Sequence, residues 1–213
     1  MNPPFTYLIT TGEAEPATFS DLKPQILRSI ELAVECGISF VQIREKRITA
    51  KQLFELTKAA SLITSDTATI LMVNGRADIA TAAGADGVHL PETGLPVDVI
   101  KKAFPGLVVG ASVHSIEAAK QARSDGADHI IFGNVFATPG KGEPVGLSGL
   151  NDMCNAVDPL PVIAVGGIGL GEIRDVINAG AAGFAAIRMF TDESRLKLAI
   201  EKTREIEQPK KYD

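Results

Sequence analysis

The chain is short of positive charge: 21 lysines and arginines face 26 aspartates and glutamates, for a formal net charge of −5. Binding nucleic acid or an acidic membrane surface takes a basic face, and no run of consecutive Lys/Arg exceeds a pair, the terminal Lys210-Lys211 reading as a solvated tail. Cysteine is scarce too. Cys36 and Cys154 lie far apart in helical segments without metal-ligand spacing, as reduced packing thiols do. Apolar runs are short, none reaching the roughly 18 residues of a membrane helix, and the first residues lack a basic region followed by an apolar stretch. A P-loop, a His-x-x-x-His pair and a Cys/His zinc pattern are all missing. These absences lead us to expect a cytoplasmic protein with no nucleic-acid or membrane partner, no metal and no cofactor.

What is present is enough apolar sequence, 45% of 213 residues, for one sizeable core, so residues 1–213 are expected to form a single domain. Runs rich in β-branched residues alternate with amphipathic segments along the whole chain, which predicts repeated strand–helix units. Strands are predicted at 5–10, 40–44, 70–74, 87–90, 107–113, 130–136, 161–166 and 184–189. Helices are predicted at 20–36, 49–64, 77–83, 96–104, 115–125, 171–179 and 192–207, with a long loop from the sixth strand to Ser148. Three similar segments, at 83–88, 125–130 and 179–184, each end a helix and open a strand. Eight such units in one domain point to a parallel (β/α)8 TIM barrel, lean against a usual size of about 250 residues. An open doubly wound sheet is the alternative.

In a barrel of this kind the reactive groups sit where the strands stop. Gln42, Arg44 and Lys46 are spaced by two, so an extended backbone aims them to one side, as an anionic ligand requires; an ordinary solvated cluster over 44–47 is the competing explanation. The third strand ends on Asn74-Gly75-Arg76, either a ligand-orienting asparagine or a plain turn. His89 either reaches the ligand or points into the barrel, and His129, at the opposite end, reads as structural. The fifth strand stops on Ser112, Val113, His114 and Ser115, where His114 is either a chemical group or a satisfied strand end. The glycine-rich loop 137–144, with Lys141, suits a mobile cover. Gly166 and Gly167 bring bare amides towards a helix start, with Arg188 from the eighth strand beside them, which favours phosphate. The segment is not a dinucleotide fingerprint, because Glu172 stands where the third glycine would fall.

Taken in order, Val-Gln-Ile-Arg-Glu-Lys (41–46), Asn-Gly-Arg-Ala-Asp-Ile-Ala (74–80), Gly-Ala-Asp-Gly-Val-His-Leu (84–90), Gly-Ala-Ser-Val-His-Ser (110–115) and Val-Gly-Gly-Ile (165–168) resemble the thiamine phosphate synthase superfamily over nearly the whole chain. The resemblance implies the barrel, a thiazole phosphate ligand and, since related barrels often pair, a homodimer. It also implies a choice between two branches. In the synthase branch two aspartates hold magnesium, and at those places this chain has Gly75 and Gly94. The Thr-x-Thr-Lys loop of that branch is reduced to Thr138-Pro139-Gly140-Lys141, and Arg188 stands where a phosphate-binding serine is usual. These departures resemble the TenI-type thiazole tautomerases, an isomerase branch that moves a proton without metal. On that expectation His114 is the proton-transfer residue, since imidazole titrates near neutrality. The resemblance then gives Gln42, Arg44, Lys46, Asn74, Ser112, Thr138 and Lys141 to the substrate, and Gly166, Gly167 and Arg188 to its phosphate. The alternatives are a thiamine phosphate synthase joining a pyrimidine pyrophosphate to thiazole phosphate, supported by Gln42, Arg44, Lys46 and Asn74, and a non-catalytic thiazole phosphate-binding regulator.

Overall fold

The computed structural model describes residues 4–206, so the Lys210-Lys211 pair and the last residue of the expected closing helix lie outside it. Eight strands alternate with eight helices: β1 (Phe5–Ile9), α1 (Phe19–Cys36), β2 (Phe40–Ile43), α2 (Ala50–Thr64), β3 (Ile70–Asn74), α3 (Ala77–Ala83), β4 (Gly87–Leu90) and α4 (Val97–Ala103) come first. They are followed by β5 (Val108–Val113), α5 (Ile116–Ser124), β6 (His129–Phe132), α6 (Gly146–Val157), β7 (Val162–Val165), α7 (Ile173–Asn178), β8 (Gly183–Ala186) and α8 (Glu193–Arg204). Every strand pairs in parallel with its sequence neighbours, and β1 pairs with β8, closing the barrel. The open-sheet alternative is thereby excluded. Helices α3, α4 and α7 are only six or seven residues long, which is how the chain completes eight units in 213 residues.

Three boundaries differ from expectation. The sixth strand leaves the ladder after Phe132, although Val135 and Phe136 still donate to the carbonyls of Val165 and Gly166. The eighth strand stops at Ala186, and a 3-10 turn over Arg188–Phe190 follows, so Arg188 is exposed and off the sheet. Helix α6 begins inside the expected loop. Gly146 and Gly149 weaken its local signal, and its burial of Leu150, Met153 and Val157 against the barrel overrides that weakness.

Strand alternation divides the core into two layers. One set of side chains, including Leu8, Val41, Val73, Val88, Val109 and Phe184, packs outward against the helices. The other fills the barrel: Tyr7 stacks on Phe40 at 5.1 Å between ring centres, with Ile9, Met72, Ile131 and Ile163 around them. The barrel is a packed interior, and only its rims are open to chemistry.

Two of the three repeated segments, those at 83–88 and 125–130, are structural ties at the bottom rim. The carboxylate of Asp86 accepts from the Leu71 amide at 2.7 Å, and that of Asp128 accepts from the Val109 amide at 2.6 Å and from Lys101 Nζ at 2.6 Å. Each aspartate thus satisfies a strand-end N–H of the barrel. Asp128→Ala, which orphans the Val109 amide, is expected to cost about 1–3 kcal/mol, whereas Asp128→Asn, which keeps an acceptor, loses less; urea denaturation of both variants distinguishes them.

Candidate active site

Parallel strands bring their C-terminal ends to one rim, and inward-facing positions near that rim carry Gln42, Asn74, His89 and Ser112. Gln42 is 1% exposed and donates from Nε2 to Asn74 Oδ1 at 3.0 Å, locking the two amides into one unit. Arg44 follows, half-buried, its amide fixed to Thr10 Oγ1 at 2.9 Å. Lys46 is exposed beyond it, and the charge of Arg44 first, then desolvation and Lys141, holds its ammonium below the usual lysine range. The charges of Arg44 and Lys141 thus both reach Lys46. Like charges that act on one another are stabilised by an anion bound among them.

The charged run 44–47 is not a uniformly solvated cluster. Glu45 is 3% exposed, and its two oxygens accept from the amides of Gly12 and Ala14 at 3.0 Å each, pinning the loop after β1. Arg47 pairs with Glu15 at 2.6 Å on the surface. The period-2 alternation of the sequence that sets Gln42, Arg44 and Lys46 apart from Glu45 contains this division, but the loop that receives Glu45 is distant in sequence.

Across the mouth, Ser112 is half-buried at the end of β5 and its Oγ lies 2.8 Å from His89 Nε2. His89 itself is 2% exposed and points into the barrel. His114 stands outside this group, past the end of β5, exposed and 3.7 Å from Glu92. Ser115 caps α5, accepting from the Ala118 amide at 3.1 Å. Sequence alone does not reveal the His89–Ser112 pair, because it depends on the β4–β5 register, His89 opposite Gly110 and Leu90 opposite Ala111.

The loops after β6 and β7 close together. Gly166 and Gly167 have φ of +96° and +66°, and side chains there would run into Asn134 and Phe136. Thr138 lies beside Gly166 and donates to the Phe136 carbonyl at 3.0 Å, while Lys141 donates its amide to the Thr138 carbonyl. The glycine turn thus presents close-approach backbone, yet its extension does not end on a free helix start: Glu172 Oε2 already accepts from the Gly169 amide at 3.0 Å. Arg188 belongs to the 3-10 turn after β8, outside that strand.

Magnesium, which the synthase branch uses, does not fit the side chains present. Gly75 has φ of +68°, and a side chain at Gly94 would meet the Pro91 carbonyl oxygen at 2.9 Å, so this backbone is shaped for glycine at both places. Of the neighbouring carboxylates, Asp78 is held by Arg76 at 2.6 Å and Glu92 lies by His114. Among the described residues no group of three or more His, Cys, Asp or Glu side chains is arranged to hold a metal ion. No helix among them is long and apolar enough to cross a membrane.

An eight-stranded parallel barrel with an anion-attracting mouth defines a broad class of phosphate-handling enzymes. Within that class, the thiamine monophosphate synthase family profile matches residues 6–190, and the chain belongs to that family. It is similar to the thiamine-phosphate synthase of Pyrococcus horikoshii, 35% identical over 87% of this chain and 89% of the relative, and to that of Methanoculleus marisnigri, 39% identical over 82% and 84%. Among solved structures, thiamine phosphate pyrophosphorylase from Pyrococcus furiosus superposes with a TM-score of 0.82 at 31% identity, covering 94% of this chain and 96% of that one.

These relatives overturn the expectation of a tautomerase, and of an isomerase generally. That expectation rested on the glycines at 75 and 94, whereas the relatives' shared name is that of a synthase and the similarity spans both chains almost end to end. The two absent carboxylates stand against a polar and cationic set, Gln42, Arg44, Lys46 and Asn74, which the ends of β2 and β3 bring to one rim.

The interior histidines give this site a stability signature. Desolvation is the largest cause of both shifts: the charges of His129 and Arg44 add to it in pushing His89 down to about 3, and His129 falls to about 4 against the opposing pull of Asp128. Both are therefore neutral when folded, while the unfolded chain protonates them below about 6.5. Stability should be complete above that pH and fall as pH drops towards the folded values, by at most about 1.4 kcal/mol per unit for each ring. Urea midpoints measured from pH 7 to pH 5 should decline for the wild type and decline less steeply for His129→Gln.

Proposed function

We propose that this chain is a transferase that joins a pyrimidine bearing a diphosphate ester on its exocyclic CH2 to a thiazole phosphate, giving thiamine phosphate and free diphosphate. The reading is supported chiefly by similarity, over more than four-fifths of both chains, to chains named thiamine-phosphate synthase. The chemistry needs a C–O bond to break and a C–N bond to form: the ring nitrogen of the thiazole supplies the electron pair, and the diphosphate leaves with the pair of the broken bond. Charge building on the leaving oxygen is the main obstacle, and preorganised cations lower it. Arg44 and Lys46, with Lys141 from the facing loop, are the groups given to the diphosphate. Gln42 fixes Asn74, whose amide is left to orient the ligand. Gly166 and Gly167, with Thr138 beside them, are given to the second phosphate, and Arg188 borders that side. The coupling itself requires no proton shuttle at His114, whose place on the rim beside Glu92 suits contact with the incoming ligand. The proposal retains a cytoplasmic enzyme acting on small phosphorylated heterocycles.

The decisive assay supplies purified protein with both substrates, with and without added magnesium. Thiamine phosphate and diphosphate are expected in equal amounts, and no coupled product under either condition would contradict the assignment. In the active condition, Arg44→Ala and Lys46→Ala are each expected to lower kcat/KM by about 100-fold, the loss of about 3 kcal/mol carried by one charge-assisted contact. Leu62→Ala, on the exposed outer face of α2, should leave it unchanged.

A further inference from the structure

The barrel interior holds polar atoms that packing does not explain. His89 Nδ1, His129 Nε2 and Tyr7 Oη are all buried without a protein partner. Their rings cluster: Tyr7 lies 6.4 Å from His89 and 5.8 Å from His129, and the two imidazoles lie 6.2 Å apart between centres. The register explains the grouping, because Gly110 on β5 stands between His89 on β4 and His129 on β6. Both rings fold over the glycine. The place a Cβ would occupy there lies against His129 Nε2 and 2.9 Å from His89 Nδ1, so the two nitrogens are within reach of one bridging water. Directly above, two residues along the same strand, Ser112 takes the other nitrogen of His89.

The polarity of this chain follows from counting protons. A serine hydroxyl has one to donate. If Ser112 gives it to His89 Nε2, only lone pairs face the mouth, the wrong polarity for a phosphorylated ligand. If Nε2–H is the donor, the hydroxyl proton is free to turn outward. His89 is neutral in the folded protein, so a proton on Nε2 leaves Nδ1 bare, and a bare buried nitrogen needs a donor. The charged and titratable groups about this ring are Arg44, His129 and Tyr7; none of them hydrogen-bonds Nδ1, and burial holds His129 and Tyr7 neutral.

We propose that His89 is a positioning residue for Ser112: its Nε2–H donates to Ser112 Oγ and turns the hydroxyl proton towards the anionic ligand, while a water shared with His129 Nε2 donates to His89 Nδ1. The proposal rests on the anionic-ligand reading of the mouth given above. It assigns His129 and Gly110 a part in the site although neither reaches the rim: the glycine lets the two rings close over β5, and His129 orients the water they share.

The tautomer is read without substrate, by 15N correlation spectra of histidine-labelled wild-type protein between pH 6 and 8. The expected result is a His89 ring protonated on Nε2 alone across that range. A ring protonated on Nδ1 alone, or on both nitrogens, would overturn the proposal. Kinetics supply the functional half. His89→Leu is expected to lower kcat at least 10-fold in the wild-type background and less than 2-fold in a Ser112→Ala background, with His89→Gln, whose amide can donate, recovering most of the loss. Equal losses in both backgrounds would show that His89 does not act through Ser112. Should the coupling activity itself be absent, the tautomer still decides the proposal, so the two failures are separable.

Discussion

Closure of β1 onto β8 is the constraint on which everything else depends. Eight strands of four to six residues are too short to bury much surface singly, and only the closed ring gives each one two ladder partners, an outer face under helices and an inner face against other strands. Because all eight run in the same direction, closure also fixes which residues can meet. Gln42, Asn74, His89 and Ser112 come from four successive strands, and no local interaction brings them together. Register alone sets them side by side around one rim, with Glu45 tying the first loop down beside them.

Charge and burial then divide the rim into two kinds of environment. On the β2 side, Arg44, Lys46 and Lys141 are partly or fully solvated and repel one another, an arrangement that an incoming polyanion relieves. On the β4–β5 side the polar groups run inward, from Ser112 through His89 to His129, into a region where ionisation is disfavoured. Solvated cations can bind and release a charged leaving group, while neutral, buried rings hold a hydroxyl in one orientation without competing for the charge.

Much of the fold was legible because its signals are local: the alternation of apolar and amphipathic runs counts eight units, and the repeated segments mark helix-to-strand joints. Boundaries failed where tertiary contacts overrule propensity. Helix α6 starts on a glycine, and Val135 and Phe136 keep bonds to the end of β7 and the residue after it once the chain has left the ladder. The site was partly legible for the same reason. Side chains spaced by two at a strand end announce themselves, as Gln42, Arg44 and Lys46 do. His89 did not, since whether it faces a ligand, the core or Ser112 depends on register with a strand some twenty residues on. The branch is not legible in the two glycines at 75 and 94, because similarity spread along most of the chain is carried by no single motif.

The central claim is that side-chain cations at the mouth, on the β2 side, receive the diphosphate. A crystal structure of the protein with inorganic diphosphate tests it most directly. Diphosphate is expected against Arg44, Lys46 and Lys141, within hydrogen-bond distance of Asn74. Diphosphate bound instead at Gly166 and Gly167 beside Arg188, with Arg44 and Lys46 left free, would contradict the claim.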